Sequence, residues 1–317
     1  MDQEVFQKYR KTYGVRFSSR QKRAARQALT EDFEDLGYQA HSLHKRRLLR
    51  YVDNLIFGNI HHARTVIIVP YDTPQRVFWW KNRYYPFNGT HTLNKGILSL
   101  LAPVVVVYVG LFALLHFGEQ YFHEPAQIRI LSILMLVILG LLFYEMVHGI
   151  ANRHNDNRNT AGITAAIEIA KTLNKDQRRN TAFLFLDGNY GRFYGAQLAA
   201  ETFQNEHKNP NVILLNTFAK GSVIQIGYGS KGKKIALDLH QISESIKTME
   251  IVAMNDAMRL STPMEYFPKA IAISAGEIDA KGELCVLGTA TPKDRQIDRE
   301  NVDAIVELLQ TYIKKQK

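Results

Sequence analysis

Two stretches of this chain contain no charged residue, and they constrain the fold more than any other feature. From Gly96 to Leu115 the sequence reads GILSLLAPVVVVYVGLFALL, and from Ile130 to Tyr144 it reads ILSILMLVILGLLFY, with Ile128 and Val147 able to extend the second run. A helix needs about 20 apolar residues to cross the hydrocarbon core of a bilayer. The lengths therefore predict a transmembrane hairpin with spans at about 96–116 and 128–147. The competing reading is a pair of buried core helices, but such helices keep a polar stripe and these keep none. The mean hydropathy of −0.20 is that of an ordinary soluble protein, because the remaining residues are strongly polar.

The flanks fit a membrane. Phe78, Trp79, Trp80, Tyr84, Tyr85 and Phe87 crowd ahead of the first run, as interfacial aromatics do, with a small hydrophobic core as the alternative. Arg76, Lys81, Arg83 and Lys95 precede the first run, and Arg153 and Arg158 follow the second. The connection carries Glu119 and Glu124 and no basic residue before Arg129. Positive-inside logic places both termini in the cytoplasm and the short loop outside. The net charge is +10, and residues 1–95 hold 17 basic against 8 acidic side chains. Beside a span, that excess points to anionic lipid head groups as partner. Nucleic acid is not expected, because the aromatics cluster beside the span rather than among the basic residues. Cys285 is the only cysteine, so no internal disulfide can form. The polar, charged first sixty residues argue against a cleavable signal peptide.

With 76–150 set aside, residues 1–75 and 151–317 read as the two parts of one α/β domain. Residues 18–36 form an amphipathic helix with Phe17, Ala25, Leu29, Phe33 and Leu36 on one face, and the Arg20–Arg26 run is expected to face solvent or lipid. Strands are expected at 51–57, 64–71, 180–186, 212–215, 223–226, 251–253 and 270–274, and helices at 160–173, 193–203, 231–247 and 299–315. The alternation implies a mixed, mainly parallel sheet with helices on both faces.

Four segments, in order, resemble the co-catalytic di-zinc aminopeptidases, the family that also includes transferrin receptor and glutaminyl cyclase. TVIIVPYDT (Thr65–Thr73) is similar to the family's apolar strand ending in H-x-D. HNDNRNTAGITAAIEIAKTL (His154–Leu173) resembles G-A-N-D-N-x-S-G and its following helix. FLFLDGNYGRFYGA (Phe183–Ala196) aligns without gaps on F-x-F-x-D-G-E-E-x-G-L-x-G-S, and ATPKDRQID (Ala290–Asp298) resembles the late H-T-x-x-D…I-D segment.

The resemblance implies a fold and, position by position, a damaged site. The first histidine ligand falls on Pro70, and Asp72 matches the carboxylate that orients it. The bridging aspartate is kept as Asp156. The general base becomes Asn189 and the adjoining ligand Tyr190; an amide is no base near neutral pH, and a phenol is a poor zinc ligand. The next carboxylate becomes Asn216, at the end of VILLN, and the last histidine becomes Ala290. No metal or other cofactor is then expected. A catalytically inactive, membrane-anchored protein is expected instead, binding or scaffolding a peptide or membrane-protein segment. The alternative is an active metallo-aminopeptidase or hydrolase whose zinc site is rebuilt from His154, Asp156, Asp187 and Asp72. Glu145-x-x-His148 reads as a pair at a span's end, His61 and His62 as a solvated turn, and Gly227–Lys233 (GYGSKGK) as a loop without Walker spacing.

Overall fold

A computed structural model describes residues 1–47, 50–76, 83–121, 125–189 and 193–316. Phe78, Trp79, Trp80, Lys81, Glu124 and Tyr190 lie outside the described residues, as do the side chains of Lys95, Glu119, Glu145 and His148.

Strands from both sides of the apolar region form one sheet. The strands are β1 (Ala40–Arg47), β2 (Arg50–Phe57), β3 (Thr65–Pro70), β4 (Arg83–Tyr84), β5 (Thr181–Leu186), β6 (Asn211–Leu215), β7 (Val223–Tyr228), β8 (Glu250–Ala253), β9 (Ala270–Ile278) and β10 (Leu284–Leu287). Their order is β1-β2-β5-β3-β6-β9, continued on one side by β7 and β8 and at the far end of β9 by β10 and β4. The centre, β5-β3-β6-β9, is parallel, and β2, β7 and β10 join it antiparallel. The sheet is thus mixed with a parallel middle. The basic strand β1 is not among the sequence-predicted strands, because AHSLHKRR lacks an apolar face.

Strand residues alternate between two cores. Ile67, Val69, Phe183, Phe185, Ile213 and Ile271 point to one face, and Val66, Ile68, Leu184, Leu186, Leu214 and Ala272 to the other. The first face is covered by α2 (Ser19–Asp35), α5 (Ala161–Thr172), α8 (Lys233–Ser243) and α10 (Arg299–Lys315), and the second by α7 (Tyr194–Asn205). The start of α2 is fixed by a reciprocal capping box between Ser18 and Gln21. Its Phe33 stacks on Phe57 at 4.2 Å and meets Phe183 at 5.3 Å.

The apolar region forms α3 (Gly89–Tyr121) and α4 (Pro125–His148). They run antiparallel: Met135 approaches Gly110 and Ile128 approaches Gly118, each 3.5 Å from where a Cβ would sit. The stretch Ala126–Tyr144 of α4, with mean hydropathy 2.3, is long and apolar enough to cross a membrane; the apolar stretch of α3 among the described residues, Val104–Gly118, is shorter. Val106, Tyr108, Ile130, Ile133 and Leu141 are all more than 60% exposed. At the base of the pair Gln75 bridges Ala151. The aromatic cluster expected at the interface is only partly there. Tyr85 and Phe87 are buried in the domain, with Phe87 against Gly227 and the Tyr85 hydroxyl donating to Asp279.

One buried side chain fastens the N-terminal segment to the sheet. Arg16 is fully buried. Its Nε donates to the Tyr71 carbonyl at 2.5 Å, Nη1 to the carbonyls of Tyr9 and Tyr13 at 3.2 and 2.5 Å, and Nη2 to Asn155 Oδ1 and Thr160 Oγ1 at 2.7 and 3.4 Å. Arg16→Met would leave these acceptors without donors in the interior. With each unpaired buried acceptor costing about 1–3 kcal/mol, a loss of at least about 3 kcal/mol is expected in denaturant titration of the purified chain. A loss below about 1 kcal/mol, the worth of one ordinary hydrogen bond, would show that the clamp does not hold the segment.

Candidate functional site

The parallel strands deliver their C-terminal residues to one edge of the sheet. β3 ends at Pro70 and leads to Asp72, β5 leads to Asp187 and Asn189, and β6 to Asn216. The helical turn Asp156–Thr160 ahead of α5 and the loop from Gly288 to Asp298 close over the same edge, since the Asp156 N–H donates to the Asp294 carbonyl and Asn152 Nδ2 to that of Thr291. The sequence-predicted remnants Asp72, Asp156, Asn189, Asn216 and Ala290 therefore share one region. The base of α4 lies at this edge too, because Asn152 also bonds Pro74, whereas the first turn of α3 packs on residues 257–261, after β8.

The acids there face cations from the N-terminal segment. Lys22 Nζ sits 2.5 Å from Asp187 Oδ1, and Asp187 also accepts from the Gly188 and Asp53 N–H groups. The Asp187 carbonyl fits against Gly195, where a Cβ would lie 2.0 Å from it, so only glycine lets α7 come so close. Arg26 pairs with Asp53 at 2.8 Å and donates to the Tyr71 hydroxyl. Asp72 Oδ2 accepts from the Asn189 N–H at 3.1 Å. In the second group Arg10 Nε lies 2.9 Å from Asp156 Oδ2, a close ionic approach that is not aligned as a hydrogen bond. Asp294 Oδ1 receives the Asn157 N–H. Beside it the Arg158 guanidinium lies 4.0 Å from the Tyr84 ring centroid, and Asn216 Nδ2 donates to the Tyr84 hydroxyl at 2.6 Å.

This donor set does not fit the two zinc ions that the fold family implies. Pro70 and Ala290 offer no side-chain donor, Asn189 and Asn216 offer amides, and the carboxylates that remain face ammonium or guanidinium groups. Nor do His154, Asp156, Asp187 and Asp72 gather as a rebuilt site. Asp187 and Asp72 lie around Lys22, Asp156 faces Arg10, and His154 Nε2 faces Arg295 Nη2 at 2.7 Å. Burial and the Arg295 charge lower the His154 pKa, which favours the neutral ring accepting from Arg295. Among the described residues no three His, Cys, Asp or Glu side chains converge as a metal-binding group.

Backbone strain accompanies these positions. Phe193, Thr217 and Ala290 all have left-handed backbones (φ 48°, 53° and 59°), a conformation that costs a residue with a Cβ about 1–2 kcal/mol. Thr217 follows the Asn216 position and Ala290 occupies the last histidine position.

The basic residues of the N-terminal segment were expected to face solvent or lipid, and for several the structure corrects this. Lys22 and Arg26 turn inward, Arg10 covers Asp156, Arg16 is buried, and Lys8 pairs with Asp32; Lys11, Arg20 and Arg23 stay exposed. A signal was present: positions 22, 26, 29 and 33 follow helical spacing, so Lys22 and Arg26 continue the buried Leu29–Phe33 stripe toward the acids. Asp294 was not named as a site residue, although it stands at the aspartate of the H-T-x-x-D pattern that ATPKDRQID resembles.

Burial raises the pKa of Asp72 to about 7, with Lys22 opposing and Asp187 adding to the rise. Burial likewise raises Asp294 to about 7, with the Asp156 charge adding, and Asp156 to about 6, opposed by Arg10. An unfolded aspartate titrates near 3.9. Between about pH 4 and 7 the folded chain therefore binds more protons than the unfolded one. The contribution of these acids to stability falls as pH rises through that window, and the loss is complete above it. Melting temperatures measured from pH 5 to 8 should fall less steeply for Asp72→Asn than for the unaltered chain. An unchanged slope would remove Asp72 from the titrating set.

Comparison with solved structures places the fold in a class: it is the mixed α/β fold of aminopeptidase-like proteins. A Bacteroides thetaiotaomicron glutaminyl cyclase bound to N-acetylhistamine superposes with a TM-score of 0.62 at 14% identity, covering 100% of this chain and 98% of that one. A Zn-dependent exopeptidase from Parabacteroides distasonis gives 0.60 at 13% identity, with 99% and 98% covered. A leucine aminopeptidase precursor from Bacteroides thetaiotaomicron gives 0.58 at 14%, with 100% and 98% covered. No protein-family model and no curated protein matches the sequence.

Proposed function

We propose that this protein is a catalytically silent, membrane-anchored relative of the aminopeptidases that binds or scaffolds a peptide or membrane-protein segment. The observation that carries the reading is the pairing of the remaining acids with resident cations, Lys22 on Asp187 beside Asp72 and Arg10 on Asp156. A positively charged side chain supplies the countercharge a metal would, but it has no empty orbital to polarise a carbonyl and no water to activate. Asn189 cannot take up a proton in place of a carboxylate base. The purified chain should release no N-terminal amino acid in a chelator-sensitive way, and Asn189→Glu with Tyr190→Glu should not restore release. Chelator-sensitive turnover by the unaltered protein would overturn the silent reading in favour of a rebuilt metal centre.

The anchoring reading has α3 and α4 as two spans with both termini cytoplasmic. It is supported by the charge-free sequence, by the apolar side chains exposed along both helices, and by basic residues at their bases. With the base of α4 at the edge that holds Asp72 and Asp156, the ligand is something found along the membrane surface. In a Cys285→Ser background, a cysteine placed between Phe117 and Gln127 should react with an impermeant thiol reagent outside cells, and one at Arg20 should not. The opposite pattern would reverse the topology.

A further inference from the structure

The opposite edge of the sheet, where the central strands begin, is also concave. The starts of β3, β6 and β9, the first turns of α8 and the end of α10 enclose a cavity of about 720 Å³. Its charge is one-sided: Arg64, Lys231, Lys234, Lys269 and Lys315 line it against one carboxylate, Asp238. These cations come from four separate parts of the chain, so helical periodicity alone does not explain their meeting. Among the described residues no carboxylate pairs with any of the four lysines. Clefts lined by one sign of charge concentrate ions of the other sign.

The GYGSKGK segment forms one wall. β7 ends at Tyr228, Ser230–Gly232 makes a tight turn, and α8 begins at Lys233 with no side chain capping its first turn. Gly232 packs so closely on β9 that a Cβ would lie 2.6 Å from the Ala270 carbonyl. The positive end of the helix dipole favours an anion beside Lys231 and Lys234. Ile235 and Tyr312 supply apolar wall.

We propose that this cavity binds a compact oligophosphate, a run of two or three phosphate groups, free or esterified. The volume lies within the roughly 300–1,000 Å³ of small-ligand sites. The convergence of lysines at a helix N-terminus suits closely spaced phosphate oxygens. Soluble oligophosphates and phosphorylated lipid head groups share this chemistry, and the phosphatidylcholine nanodiscs and phosphoinositide vesicles of the test separate the two sources. The ligand chemistry does not rest on the membrane reading above.

The test uses the full chain in phosphatidylcholine nanodiscs, titrated calorimetrically with tripolyphosphate and with ATP at physiological salt. Saturable binding is expected, weakened at least about tenfold by Lys234→Glu and again by Lys269→Glu, since a hydrogen bond to a charged group is worth that much. Lys281→Glu, outside the cavity, should leave it unchanged. Absence of saturable binding, or equal binding by the Lys234→Glu/Lys269→Glu variant, would overturn the proposal. So would capture of phosphoinositide vesicles or single-stranded DNA by a chain that does not bind tripolyphosphate. Chelator-sensitive peptidase activity would sink the silent reading and leave this measurement untouched.

Discussion

Arg16 joins three segments that are distant in sequence. All five of its N–H donors end on carbonyl, amide or hydroxyl oxygens of residues 9–13, residue 71 and residues 155–160. Burying a guanidinium is costly unless every donor is matched, and a fully matched network is rigid. Its own backbone then pairs with Thr73 in both directions. Fixing residue 16 sets where α2 begins, and that in turn places Lys22 and Arg26 over Asp187 and Asp53. The arrangement of the former catalytic edge depends on this clamp.

At this edge buried acids and resident cations meet as ion pairs. Buried carboxylates close together repel one another and must be protonated, paired or bound to metal. Here two routes operate together. Lys22, Arg26 and Arg10 supply countercharge, and Asp72 and Asp294 hold protons to about neutral pH through burial. The left-handed backbones at Thr217 and Ala290 add local strain at the same edge.

In sequence the helical pair α3 and α4 stands between the loop after β3 and the turn that carries Asp156. It leaves the strand order of the domain intact, since neither helix contributes to the sheet core. The base of α4 meets the edge that holds Asp156, and the first turn of α3 packs on the segment after β8, toward the edge where β9 begins.

What the sequence determined alone is what depends on local pattern. Uncharged runs marked the apolar helices, unbroken apolar strands such as TVIIVP and TAFLFL marked the doubly covered parallel sheet, and the helix at 299–315 follows from its 3.6-residue period and the capping Asp298. That Pro70 and Ala290 carry no side-chain donor was equally legible, because a residue without a donor atom lacks one in any fold. The tertiary structure decided where the charges go. A lysine in a basic run reads as solvated until packing shows which face of its helix is buried, and the partners of Lys22 and Arg10 lie 165 and 146 positions away. Tyr85 and Phe87 likewise read as membrane-interface residues until the fold buried them in the domain. Coulomb energy and burial depend on distance in space, and only the folded chain sets that distance.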